Sequence, residues 1–119
     1  MSVRPRVLPD GWYPDSAGQI KRMLSEWDSA APYNKNGKSG IVPHAGWGFS
    51  GQIAFKVIQN LQNGADTVAV IGGHLPKGGG ILAGYEDAFY TPLGNMENDK
   101  ELLKELEEYI SVQNDLYAD

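Results

Sequence analysis

Cysteine is missing from this chain of 119 residues, and histidine occurs only twice. Without cysteine there is no disulfide framework and no thiolate chemistry, which fits a reducing compartment. Basic stripes are missing too. Ten lysines and arginines stand against fifteen aspartates and glutamates, a net charge of −5, so neither nucleic acid nor an anionic membrane surface is an expected partner. Apolar runs span only a few residues, far short of the roughly 20 that cross a bilayer. The N-terminal stretch 1–11 has positive charge but no apolar segment after it, so it does not read as a signal peptide. These absences predict a soluble, cytoplasmic protein, sized for one domain or a piece of one.

Helical periodicity comes first among the features that are present. Ile20, Met23, Leu24 and Trp27 fall at i, i+3, i+4 and i+7, with Asp15 or Ser16 placed to cap a helix before them. A second helix is predicted over 51–62, with Ala54, Val57, Ile58 and Leu61 on its apolar face and Gly64 as a left-handed C-terminal cap. A third is predicted from Asn98, with Glu101 as its capping-box partner and Leu102, Leu103, Leu106, Tyr109 and Ile110 as its stripe. Short strands are predicted at 40–43 and at 67–71, the latter a β-branched run of the kind buried on both faces of a parallel sheet. Residues 81–90 suggest a hairpin turning near Tyr85–Asp87. Strand, helix and strand with short connections make a βαβ unit, which predicts an α/β fold, three layers of α/β/α about a mainly parallel but incomplete sheet.

Both histidines stand where such a fold puts its ligands. His44 follows the 40–43 run and His74 follows the 67–71 run, and open parallel sheets bind ligands outside the carboxyl ends of their strands. If the two runs are neighbouring strands, roughly 4.8 Å apart, both imidazoles reach one crevice. Two imidazole nitrogens suit zinc, iron, copper or nickel alike. Gly46, Gly48 and Gly51 let the backbone approach a ligand, Trp47 and Phe49 supply apolar walls, and Ser50 stands at the mouth of the second helix. The N-terminus of that helix would favour an anionic group.

Four segments occur in an order that resembles a known family: GWYP at 11–14, PHAGWGFSG at 43–51, GGH at 72–74 and YTPLG at 90–94. The chain is similar to the Memo family, known in bacteria and archaea as the AmmeMemoRadiSam protein B group. That family is similar in fold to class III extradiol dioxygenases of the protocatechuate 4,5-dioxygenase B-subunit type. The resemblance implies that His44 and His74 are metal ligands and that Trp12 lines the same pocket, while Phe49 falls where the family often has a tyrosine. At the second site the family pattern is nearer Gly-Pro-Ser-His-His, so this chain is one residue shorter there and has a single histidine. Family members are longer, and their remaining site residues, an Asp, a His and commonly a Cys, are not matched here. The expectation is therefore the N-terminal portion, 1–119, of a single Memo-like domain, truncated relative to the family.

Three functional readings follow. The first is a dioxygenase-like site for Fe(2+) or another divalent transition metal, incomplete in this chain, with Asp87, Glu97 or Asp99 as the acidic residues available for a third ligand. The second is a binding module without catalysis for a small-molecule carboxylate or a phosphopeptide. The third is an inactive structural fragment. An unpaired sheet edge would be covered by self-association or by a complementing chain.

Overall fold

The apolar stripe at 20, 23, 24 and 27 forms the inner face of helix α1, Ala17–Trp27, in a computed structural model that describes residues 1–29, 32–74 and 77–115. Ser16 caps it from extended backbone, its hydroxyl accepting the Gln19 N–H at 3.2 Å. That bond satisfies one of the amide donors that every helix start leaves without an internal partner. The expected cap and stripe are both present, and Ile20 is buried.

The chain divides into two compact units, one of residues 8–66 and one of residues 1–7 with 67–119. In the 8–66 unit, α1 packs against helix α2, Trp47–Gln59. Helix α2 begins four residues earlier than the expected Gly51. Gly46 takes the N-cap, and its carbonyl accepts the Phe49 and Ser50 amides at 2.9 and 3.1 Å. The helix also stops sooner, at Asn60, whose backbone is right-handed. The expected left-handed cap at Gly64 does not form. Asn60 closes the end itself, its side-chain amide donating to the Lys56 carbonyl at 2.8 Å.

Aromatic rings fill the space between the two helices. Trp27 lies 5.7 Å from Trp47 and 6.3 Å from Phe55 between ring centroids, Tyr13 stacks 6.3 Å from Trp47, and Tyr33 meets Phe55 edge-on at 6.5 Å. Offset and tilted pairs in this range suit the ring quadrupoles. Gly51 is what lets the indole in: a Cβ there would stand 2.5 Å from the Trp27 ring.

The other unit holds two small sheets. Strand β1, Val3–Arg4, runs parallel to β3, Ala88–Phe89, which pairs antiparallel with β4, Met96–Glu97. Strand β2, Ile81–Ala83, runs parallel to β5, Val112–Asn114. Parallel pairings predominate, and with three helices they give the expected α/β class. The hairpin expected over 81–90 is not there: β2 and β3 belong to different sheets. The Asn98 side-chain amide donates to the carbonyls of Gly84 and Glu86, at 2.8 and 2.9 Å, and holds that linker in place. The hairpin instead joins β3 to β4 through Thr91–Gly94, where two reciprocal backbone bonds and a 2.6 Å bond from the Thr91 hydroxyl to the Gly94 carbonyl close the turn.

Because Asn98 is engaged in this way, the cap of helix α3, Lys100–Glu107, passes to Asp99. Its carboxylate accepts the Leu102 amide at 3.0 Å and the Thr67 hydroxyl. These bonds, the hydroxyl's foremost, hold the Asp99 carboxyl below its ordinary range. Of the stripe expected on α3, only Leu103 is partly buried.

The largest departure concerns the predicted βαβ unit. Neither 40–43 nor 67–71 forms a strand; the nearest feature is an isolated parallel bridge between Gly37 and Leu61. A β-branched composition suits a pleated, packed surface, but a strand exists only where a neighbour completes its ladder. Ile41 is 96% exposed and Val70 91%.

Around β1 the chain is held by charge. Asp87 accepts from Lys100 Nζ at 2.7 Å and from the Ser2 amide and hydroxyl at 2.7 and 3.0 Å. The Lys100 bond is the largest of the influences that push the Asp87 carboxyl far below its usual value of 3.8, and the Ser2 bonds add to it. A depressed carboxyl stabilises the fold above its unfolded pKa, and that contribution is lost as the pH falls through the folded value. The urea midpoint of the wild-type chain should therefore drop as the pH is lowered below about 4, and less steeply in Asp87→Asn. Equal slopes for the two proteins would refute the assignment.

Candidate functional site

His44 lies on the loop between the 37–43 segment and α2, with its side chain exposed. Two bonds brace this loop. The Trp47 amide donates to the Trp12 carbonyl at 2.8 Å, and the Ser50 hydroxyl donates back to the Ala45 carbonyl at 2.9 Å. Trp12 can offer its carbonyl there because Gly11 has φ of +94°, a left-handed backbone that residues with a Cβ rarely adopt. The GWYP and PHAGWGFSG segments are thus one structural element. Each needs the other to set the position of His44.

Trp12 is 43% exposed and contributes its backbone to this brace. Trp47 packs between Tyr13 and Trp27, and Ser50 is buried with its hydroxyl committed to the loop. Phe49 projects outward, 90% exposed, beside the histidine loop in sequence. The start of α2 has few amides to spare for an anion: Trp47 N–H goes to Trp12, and Phe49 and Ser50 N–H go to Gly46. Sequence reasoning missed the role of Trp12 as the partner of Trp47. The one signal available was the order of the two motifs, since no local pattern encodes a bond spanning 35 residues of chain.

His74 belongs to the other unit, exposed at the end of the 67–74 segment. That segment is not a strand. Of the acidic candidates, Asp87 is bound to Lys100 and Ser2, and Asp99 caps α3. Glu97 sits on β4, exposed. Among the described residues no group of three or more His, Cys, Asp or Glu is placed to hold a metal ion. Non-haem iron of the oxygenase type needs two histidines and a carboxylate on one face of the ion. The described residues do not assemble that set. Among them, too, no helix is long and apolar enough to cross a membrane.

Comparison with known proteins places these features in a lineage. A family model described as Memo-like protein matches residues 4–119. A MEMO1 family protein of Ignicoccus hospitalis is 30% identical over 133 aligned residues, which cover 99% of this chain and 46% of that relative. One from Aquifex aeolicus is 29% identical over 119 residues, covering 99% of this chain and 45% of the relative. A third, from Archaeoglobus fulgidus, is 30% identical over 112 residues, 94% of this chain and 42% of its own length. The chain spans just under half the length of these curated relatives.

Proposed function

Since this chain belongs to the Memo-like family, we propose that it is a cytoplasmic, metal-binding part of a Memo-like protein, donating two imidazoles, His44 and His74, to a divalent transition metal such as Fe(2+). The observation that carries this reading is the bracing of the His44 loop by the Trp12–Trp47 and Ser50–Ala45 bonds. A ligand held on a fixed loop loses little freedom on binding, which is why metal sites are built on positioned side chains. His44 is exposed and sits on such a loop. Support for His74 as the second donor comes from the sequence alone, where both histidines follow short apolar runs.

Two nitrogens hold an ion without defining a reaction. The remaining positions are filled by water, by a small chelating molecule or by another polypeptide, and no catalytic step is assigned to this chain by itself. Phe49, exposed next to the loop, would give an organic ligand an apolar contact. The anion-binding alternative gains little from a helix start where the Trp47, Phe49 and Ser50 amides are already taken.

Anaerobic reconstitution with Fe(2+), followed by elemental analysis and calorimetric titration, tests the proposal. One metal per chain is expected, with affinity reduced at least about tenfold in His44→Ala and in His74→Ala separately. A protein that stays metal-free, or one whose affinity ignores both substitutions, would overturn it.

A further inference from the structure

Two Asn-Gly dipeptides occur in the chain, Asn36–Gly37 and Asn63–Gly64. In such a pair the backbone nitrogen of the second residue can reach the side-chain carbonyl carbon of the first, because glycine puts no Cβ in the way. Both pairs lie in the 8–66 unit, and both asparagines are exposed to water. They differ in what holds the glycine amide.

Asn36–Gly37 is stapled to the end of α2. The Gly37 amide donates to the Asn60 carbonyl at 3.0 Å, and the Gly37 carbonyl accepts the Gln62 amide at 2.7 Å. Next to it, the Asn34 amide donates to the Asn60 side-chain oxygen at 2.9 Å, and the Asn36 side-chain amide donates to the Asn34 side-chain oxygen at 2.6 Å. Space is short as well: a Cβ on Gly37 would stand 3.0 Å from the Leu61 side chain and 3.1 Å from the Asn60 carbonyl oxygen. For Asn36 to react, the Gly37 amide must first leave its acceptor. Asn63–Gly64 has no such restraint. Among the described residues neither member makes a hydrogen bond, and nothing lies within 4 Å of where a Gly64 Cβ would stand.

We infer that Asn63 is a site of spontaneous deamidation in the folded chain, and that the staple protects Asn36 from the same reaction. The Gly64 amide gives its proton to water or hydroxide, and its nitrogen attacks the Asn63 side-chain carbonyl carbon. A carbon–nitrogen bond forms there, the bond from that carbon to Nδ2 breaks, and Nδ2 leaves as ammonia with a proton from water. Water then opens the cyclic imide at one carbonyl or the other, which leaves aspartate or isoaspartate. Water is the only co-reactant, and no electrons change hands. Each event puts a negative charge in the exposed stretch that already holds Asp66. The longer backbone of isoaspartate falls after the Gln62–Gly37 bond, so the contacts at the end of α2 are kept. The same change at Asn36 would fall inside the staple.

Incubation of the full chain in mildly alkaline buffer, followed by peptide mapping with mass spectrometry, is the test. Chelator in the buffer keeps the result separate from the proposed metal site. The mass gain of an amide turned carboxylate should build up at Asn63 at least about tenfold faster than at Asn36, which reacts only through local opening. In concentrated urea the two rates should agree within about twofold, because identical dipeptides remain once the bonds to Asn60 and Gln62 are gone. Gly64→Ala meets no neighbour and stands outside the left-handed region, so the fold accepts it. Its methyl group should slow the reaction at Asn63 at least about fivefold and leave Asn36 unchanged. Equal rates at the two sites in the folded chain would overturn the inference. So would an Asn63 that reacts only in urea, or a Gly64→Ala chain that deamidates as fast as the wild type.

Discussion

Replacing Trp27 with alanine should cost the protein about 3 kcal/mol of unfolding free energy, the lower end of the range for removing a large core aromatic. Trp27 is only partly buried, which keeps the figure from the upper end. The indole nevertheless touches both Trp47 and Phe55, and each aromatic pair adds about 0.5–1.5 kcal/mol beyond its buried area. It also fills the hollow that Gly51 leaves on α2, so its loss opens a gap that neighbouring rings cannot easily close. Urea unfolding followed by far-ultraviolet circular dichroism would measure the change. Trp27→Phe, which keeps one ring in the cluster, should lose less than half as much. A loss below about 1 kcal/mol for alanine would mean that the rings are not the core of the 8–66 unit.

Arg4→Ala should be nearly as damaging, at about 2–3 kcal/mol. The Arg4 guanidinium joins β1 to residues far along the chain. Nη1 lies 3.3 Å from the Asp115 carboxylate, Nη2 donates to the Asp115 carbonyl, and Nε lies 3.4 Å from Glu86. Asp115 is buried, with its side chain 11% exposed, so removing the arginine takes from that carboxylate a cation that little water can replace. That penalty, rather than the worth of the pair itself, dominates such substitutions. Arg4→Lys should recover little, because a single ammonium cannot serve three acceptors in a fixed fork. If Arg4→Ala and Arg4→Ala/Asp115→Asn lose the same stability in urea, the buried carboxylate is not the source of the cost.

Much of the helical structure was legible in the sequence, and the reasons are local. The spacing of Ile20, Met23, Leu24 and Trp27 and the hydroxyl of Ser16 act within a few residues of one another, so pattern reading finds them. Two of the misplaced boundaries have a common cause. Gly46 and Asp99 took the capping roles because distant groups had claims on the alternatives: the Trp12 carbonyl on Trp47, and the Gly84 and Glu86 carbonyls on Asn98. The strands were least legible. β1, β3 and β4 are two residues each, β1 set by register against β3 positions 85 residues away, and no periodicity can show itself in two residues. Conversely, 67–71 has strand composition without a strand, since composition records what a segment is fit to pack against and not whether the partner is present. At the candidate site, the histidines and their neighbours were identifiable as residue types. The division of labour among Trp12, Trp47 and Ser50 was not, because it rests on backbone atoms that every residue shares.

The tilted indole pair has an optical consequence. Two indole chromophores whose centres are 5.7 Å apart, inclined at 46°, are neither parallel nor perpendicular. Their electronic transitions couple into a chiral exciton, which gives a paired signal in the circular dichroism of the aromatic bands. That signal vanishes once α1 and α2 separate, so the chain carries a built-in, label-free gauge of helix docking.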